Sequence, residues 1–203
     1  MEFCSEGLHP LRDLTSLTIQ LQELSRITDQ STQFLCSQTL RYLPKMASLS
    51  LQLGWCEQMT DHAIEILASS GLRKLPLLKI LHLGFQDWKK MTEKVLKVLG
   101  TFIPFQVMNL SLDFGDCKEI GDVGLRDLMV LDPTNLKTLN LRFPMTKVTY
   151  EGLAILIYRG LAEMKKLKGL ELNFENCQGI SDKGMSILCG EGLRKLKDWK
   201  NYH

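Results

Sequence analysis

The sequence predicts a curved α/β solenoid of about six repeats, with a parallel sheet on its concave side and helices on its convex side, and three observations predict it. The segment L-x-x-L-x-L-x-L/F recurs with its second leucine at Leu17, Leu49, Leu81, Leu110, Leu139 and Leu170, at spacings of 32, 32, 29, 29 and 31 residues. A period near 30 is the mark of stacked supersecondary units. An apolar residue follows each segment (Ile27, Met59, Met91, Ile120, Val148, Ile180), then usually Thr, Ser or Gly with Asp or Glu. Each unit closes on a further leucine at Leu35, Leu67, Leu99, Leu128, Leu156 and Leu188, four residues after Ser31, Ala63, Val95, Gly124, Gly152 and Gly184.

The local reasons for these elements can be taken in order. In the strand segments, Leu14 to Leu21, Met46 to Leu53, Leu78 to Phe85, Val107 to Phe114, Leu136 to Phe143 and Leu167 to Phe174, alternate residues are apolar, so each strand has one buried face. Thr28-Asp29, Thr60-Asp61, Thr92-Glu93, Gly121-Asp122 and Ser181-Asp182 read as helix starts, with a capping group followed by a carboxylate at the positive end of the helix dipole. Thr149-Tyr150 alone breaks the acidic rule. The leucine that closes each unit anchors the helix on the sheet, and the small residue one turn earlier lets helix and strand backbones approach. A strand, a helix and a second parallel strand must be joined by a right-handed crossover, which places strands on one wall and helices on the other. The units beginning at Leu78 and Val107 are shorter by about one helical turn and stop at Pro104 and Pro133, so curvature should change there.

The pattern L-x-x-L-x-L, then Cys, Ile or Met, Thr/Ser-Asp, x, Gly-Leu resembles the leucine-rich repeat. The nearest form is the cysteine-containing type with ribonuclease-inhibitor-like helices, as in F-box leucine-rich repeat proteins and protist repeat families. Asp116-Cys117 through Leu125 and Asn176-Cys177 through Met185 carry the likeness best. Only Cys56, Cys117 and Cys177 keep the cysteine, which Leu24, Trp88 and Thr146 replace; the strand-to-cysteine spacing is two residues longer, with an added Leu53, Phe114 or Phe174. No F-box precedes the repeats in this sequence. The resemblance implies a non-enzymatic protein-interaction module.

Composition narrows the classes. A net charge of +2 offers no general field for nucleic acid or an anionic membrane, so neither is an expected partner. No apolar run approaches the roughly 20 residues needed to span a bilayer, and Met1-Glu2-Phe3-Cys4 does not start a signal peptide. The expected address is cytoplasmic, a cytoskeletal or ciliary assembly included. Cys56, Cys117 and Cys177 lie two repeats apart, about 10 Å at roughly 4.8 Å per strand step, beyond a disulfide or a shared zinc ion. They read as buried fillers, and no metal or cofactor is expected. His9, His62, His82 and His203 fall in different units, without HExxH, a phosphate loop or GxSxG, so no enzyme is expected.

The candidate binding residues come from the outward alternates of the strands. They form a polar, nearly neutral concave face on which Gln20, Gln52, His82, Asp113, Asn140, Arg142, Glu171 and Asn173 are the larger groups. Asp113 and Arg142 occupy equivalent positions on adjacent strands and are expected to pair. His82 lies between Ser50 and Ser111, a juxtaposition that supplies neither an orienting acid nor an oxyanion site. On the loops leaving the strands, Trp88 takes the cysteine slot and should be core, whereas Trp55, one position earlier, is the candidate exposed anchor. Cations gather at helix ends (Arg12, Arg41, Lys45, Arg73, Lys74, Lys79, Lys165, Lys166, Lys168, Arg194, Lys195 and Lys197), as dipole matching alone predicts, and as a basic rim for an acidic protein surface would also require.

Both ends look unfinished. Cys4 through Leu14 matches Cys189 through Trp199, so residues 1–13 read as the end of an incomplete repeat, 14–198 as six repeats and 199–203 as the start of another strand, all in one domain. Solenoids need their terminal apolar faces covered. The expectation is a piece of a longer array, or a subunit covered by neighbours: a scaffold or structural subunit of a multi-subunit assembly. The alternative is the target-recognition module of a ubiquitin-ligase-like complex, an F-box-type receptor fragment.

Overall fold

The computed structural model describes residues 11–192. Six strands, β1 (Ser16–Gln20), β2 (Ser48–Gln52), β3 (Ile80–Gly84), β4 (Asn109–Asp113), β5 (Thr138–Arg142) and β6 (Gly169–Asn173), form one sheet in sequence order. Every pairing is parallel and without slip: Leu17 faces Leu49, Leu49 faces Leu81, and so on to Leu170. Between strands run α1 (Asp29–Phe34), α2 (Asp61–Ile66), α3 (Lys94–Phe102), α4 (Asp122–Leu128) and α5 (Tyr150–Ile155), with α6 (Asp182–Ile187) following β6. This is an α/β solenoid of six repeats. Its core lies between sheet and helices, where Leu49, Leu51, Leu81, Leu83, Leu110, Leu112, Leu139 and Leu141 from the strands meet Leu67, Leu99, Leu128 and Leu156 from the helical layer, all buried.

The residue added to each strand segment has a packing role. Phe85, Phe114, Phe143 and Phe174 stack along the solenoid with ring centroids 5.4, 5.3 and 5.9 Å apart, and Trp88 closes one end at 5.5 Å from Phe85. Such offset pairs add to the area they bury.

The cysteine slot is more than a filler. Cys56 Sγ donates to Leu21 O at 3.2 Å, Cys117 Sγ to Phe85 O at 3.1 Å and Cys177 Sγ to Phe143 O at 3.0 Å, each the carbonyl just past the preceding strand. Where the cysteine is replaced by another donor the bond changes address: Trp88 Nε1 donates to Met59 O at 2.6 Å and Thr146 Oγ1 to Phe143 O at 2.8 Å. Leu24 has no donor to offer and is exposed.

The acids at the helix starts also do more than face a dipole. Asp29 accepts from Thr60 N and Oγ1 at 2.7 and 2.6 Å, Asp61 from Thr92 N and Oγ1 at 2.8 and 2.5 Å, and Asp122 from Thr149 N and Oγ1 at 2.8 and 2.6 Å. Glu93 Oε2 reaches Gly124 N at 3.0 Å. Each carboxylate thus ties its repeat to the next. Tyr150 ends this chain of bonds, and Lys183 Nζ lies 4.0 Å from its ring centroid instead.

The small residue before the helix leucine was expected to admit the strand backbone, and the structure corrects this. A Cβ on Gly124 would stand 2.8 Å from Glu93 Cβ, and one on Gly184 would stand 3.3 Å from Tyr150 Cβ. The close neighbour is the helix start of the preceding repeat. Helix packs on helix there.

Helix length divides the repeats into two kinds. After α1, α2 and α5 the chain continues through a five-residue π turn and a three-residue 3₁₀ turn, at Leu35–Thr39 and Leu40–Tyr42, Leu67–Gly71 and Leu72–Lys74, and Leu156–Gly160 and Leu161–Glu163. The third and fourth repeats have neither and end at Phe102 and Leu128. The matched end segments Cys4 through Leu14 and Cys189 through Trp199 fall largely outside the described residues. No helix among the described residues is long and apolar enough to cross a membrane.

Candidate functional site

The strand register sorts the concave face into three rows. Ser16, Ser48, Ile80, Asn109, Thr138 and Gly169 form the first, and Thr18, Ser50, His82, Ser111, Asn140 and Glu171 the second. Gln20, Gln52, Gly84, Asp113, Arg142 and Asn173 form the third, at the edge where the strands end.

Four of the expected residues join in one network across the second and third rows. Arg142 Nε donates to Asp113 Oδ2 at 3.0 Å, as their positions predicted, and Arg142 Nη1 lies 3.6 Å from Glu171 Oε1. Asn140 Nδ2 donates to Glu171 Oε2 at 2.7 Å. Asn173 stands beside Arg142 in the third row and accepts from Glu175 N at 2.9 Å. Gln52 folds across Gly84, where any side chain would collide with it. Gln20 and His82 stay outside the network. Among the described residues no hydrogen bond joins His82 to Ser50 or Ser111, and partial burial pulls its pKa below the usual imidazole value. Groups of three or more His, Cys, Asp or Glu able to hold a metal ion do not occur among the described residues.

Gln86 belongs to the site and escaped the strand alternation because it lies on the loop after β3. Its Nε2 donates to Asp113 Oδ2 at 2.9 Å, so Asp113 receives Gln86, Arg142 and, through Oδ1, the Gly115 N–H at 3.0 Å. The sequence does hold a signal for it. Gly54 and Gly115 take the same loop position in the flanking repeats, and a Cβ on Gly54 would sit 2.9 Å from Gln86 Oε1. Two acceptors in this network, Gln86 Oε1 and Asn140 Oδ1, are buried without a hydrogen-bond partner. Buried polar atoms are paired in the great majority of cases.

Trp55 is adjacent to Gln86: its backbone N–H donates to Gln86 O at 2.7 Å. It occupies a loop position that is left-handed in every repeat, with φ of 63° at Glu23, 57° at Trp55, 50° at Asp87, 62° at Asp116, 58° at Met145 and 58° at Asn176. From Glu23 to Met145 the N–H at this position reaches a carbonyl of the next repeat, which holds the backbone in place. Asn and Asp tolerate this conformation; a large aromatic residue is an outlier there. Trp55 nevertheless leaves 41% of its surface in solvent, whereas Trp88 leaves 1%.

The expected cations at the helix ends are partly engaged. Lys45 pairs with Asp13, Arg41 and Arg73 lie over the rings of Tyr42 and Phe102 at 5.8 and 5.5 Å, and Lys166 Nζ donates to Asn135 Oδ1 at 2.9 Å. Arg194, Lys195 and Lys197 lie outside the described residues.

No protein-family profile and no curated protein matches the sequence. Among solved structures, a chain of the Rad7 and Elc1 complex from yeast is similar in fold, with a TM-score of 0.54 at 20% identity over 82% of this chain. This chain spans 37% of that one.

Proposed function

We propose that the chain acts as a single leucine-rich-repeat domain of the cysteine-containing type, a non-enzymatic protein-interaction module that serves as a scaffold or structural subunit of a larger assembly. Its partner protein binds at the strand-end edge of the concave face, across Trp55, Gln52, Gln86, Asp113, Arg142, Asn140, Glu171 and Asn173. The observation that carries this reading is Trp55, an exposed aromatic held in a left-handed backbone that asparagine or aspartate would adopt at lower cost. A partner that covers the indole supplies a reason for keeping it, since buried tryptophans dominate interface energies. The surrounding network of Asp113, Arg142 and Glu171 holds charged groups in fixed positions at which such a partner could be oriented. The shared thiol-to-carbonyl bond of Cys56, Cys117 and Cys177 supports the repeat type.

The test is copurification from native extract of wild type against a Trp55→Asn, Arg142→Ala double variant. A stoichiometric partner retained by the wild type and lost from the folded variant is the expected result; equal retention overturns the reading. The second reading, target recognition within a ubiquitin-ligase-like complex, draws support from the fold likeness to a chain that was itself solved in a two-protein complex. It predicts a changing set of partners at the same edge in place of one fixed partner.

A further inference from the structure

The two short repeats leave a notch in the helical layer. On one side stands the extended end of the second repeat, Leu67–Gly71 and Leu72–Lys74, and on the other that of the fifth, Leu156–Gly160 and Leu161–Glu163. Between these walls α3 and α4 stop early, and their backbones are in close contact: a Cβ on Gly100 would meet Leu128 O at 2.8 Å and Asp127 O at 2.9 Å. The floor carries the most exposed large apolar side chains of the described chain, Phe105 at 63% and Val130 at 62%. Leu77, at 52%, is also exposed at the junction of the second and third repeats.

The segment after α4 contributes to two hollows in the notch, Val130 and Asp132 to one and Met129, Leu131 and Pro133 to the other. One, of about 610 Å³, has Arg73, Phe102, Phe105 and Val130 in its lining. The other, of about 490 Å³, has Met129, Pro133, Arg159, Met164 and Lys166. The charges are unequal: Arg73, Arg159, Lys165 and Lys166 line the hollows against Asp132 and Glu163. Asp132 is already engaged by the Thr134 N–H at 2.9 Å, which holds its carboxyl below the usual range.

We propose that this notch is a second docking site, taking a segment of a protein partner that presents a bulky apolar side chain flanked by carboxylates. Exposed apolar patches rimmed by polar groups mark interaction surfaces. The cationic walls select the charge of the occupant, and the two hollows give its apolar side chain a seat beside Val130 or beside Met129. Helix-dipole matching accounts for cations at helix ends but not for Phe105 and Val130 standing in water between them.

The test is selection of a random 16-residue peptide display library on the full chain, followed by titration of a synthetic peptide of the enriched consensus. Enriched peptides are expected to pair Phe, Leu or Trp with two or more Asp or Glu. Their affinity should fall at least tenfold in Val130→Asp, Phe105→Ser and separately in Arg159→Glu, Lys166→Glu, and should weaken as salt rises. These positions are surface positions, and circular dichroism with an unchanged melting temperature will verify that each variant is folded. The Trp55→Asn, Arg142→Ala variant should bind the peptide as the wild type does, which separates this site from the concave one. The proposal is overturned if the enriched peptides lack acids, if the notch variants bind them unchanged, or if the notch variants abolish instead a self-association of the chain or binding of an RNA oligonucleotide.

Discussion

Trp55 and Trp88 sit on the loops leaving consecutive strands, yet they meet opposite environments. Trp88 has the cysteine slot, stacks on Phe85 and donates to Met59 O, so the indole replaces both the bulk and the hydrogen bond of a thiol. Trp55 falls one position earlier in its loop, at the left-handed residue, where the backbone is tied to the next repeat and the side chain is turned out. A shift of one position in a repeat therefore converts the same residue type from core to surface. In an array, position within the unit decides a side chain's role more than its chemistry does.

The largest effect that can break this comparison is Trp88→Ala. Removing a buried indole and leaving the Met59 carbonyl without its donor should cost about 3–5 kcal/mol, measured by denaturant unfolding. If Trp88→Ala is as stable as wild type, the slot is not a core position. Asp61→Ala comes next. It deletes both bonds to Thr92 and should cost about 1–3 kcal/mol, because a part-buried, charge-assisted link between repeats is lost. A loss confined to a few tenths would return Asp61 to the role of a dipole charge. Trp55→Asn should act in the opposite direction, raising stability by about 1 kcal/mol through relief of the left-handed strain.

The thiols sharpen the contrast between slot and surface through pH. Burial pushes Cys36 and Cys117 up to about 12, while their unfolded values stay near the ordinary 9. Above that ordinary value the unfolded chain releases the thiol protons and the folded chain keeps them, so stability is complete below pH 9 and declines as pH rises toward the folded values. At pH 8, iodoacetamide should label the exposed Cys189 and spare Cys36, Cys56, Cys117 and Cys177 until the chain unfolds, as peptide mapping will record. His82 contributes the smallest term and the reverse sign. Its lowered pKa means the unfolded state binds the proton first, so a slight loss of stability should appear as pH falls below the unperturbed 6.5, and should vanish in His82→Asn.

How much of this was legible follows from which contacts the repeat period encodes. Strand register, the Asp113–Arg142 pair and the split between Trp55 and Trp88 depend only on equivalent positions in neighbouring units, and alignment of the units discloses these directly. Bonds that join unlike positions are hidden from such an alignment. The thiols of Cys56, Cys117 and Cys177 reach carbonyls beside the preceding strand, and Asp29, Asp61 and Asp122 reach the threonines of the next helix start. The left-handed loop position has no single side-chain signature: Glu23, Trp55, Asp87, Asp116, Met145 and Asn176 share a backbone conformation but not one residue type. Gly124 and Gly184 are a related case: spacing reveals that a helix face must be small but not which surface presses on it.

The most direct test of the concave-edge reading places the photoreactive residue p-benzoylphenylalanine at position 55 and, in a second variant, at position 123, where the wild-type valine is exposed on α4. After irradiation in native extract, the account predicts a defined covalent adduct with one partner protein from position 55 and none with that partner from position 123. Adducts from position 123 alone, or none from either, would contradict it.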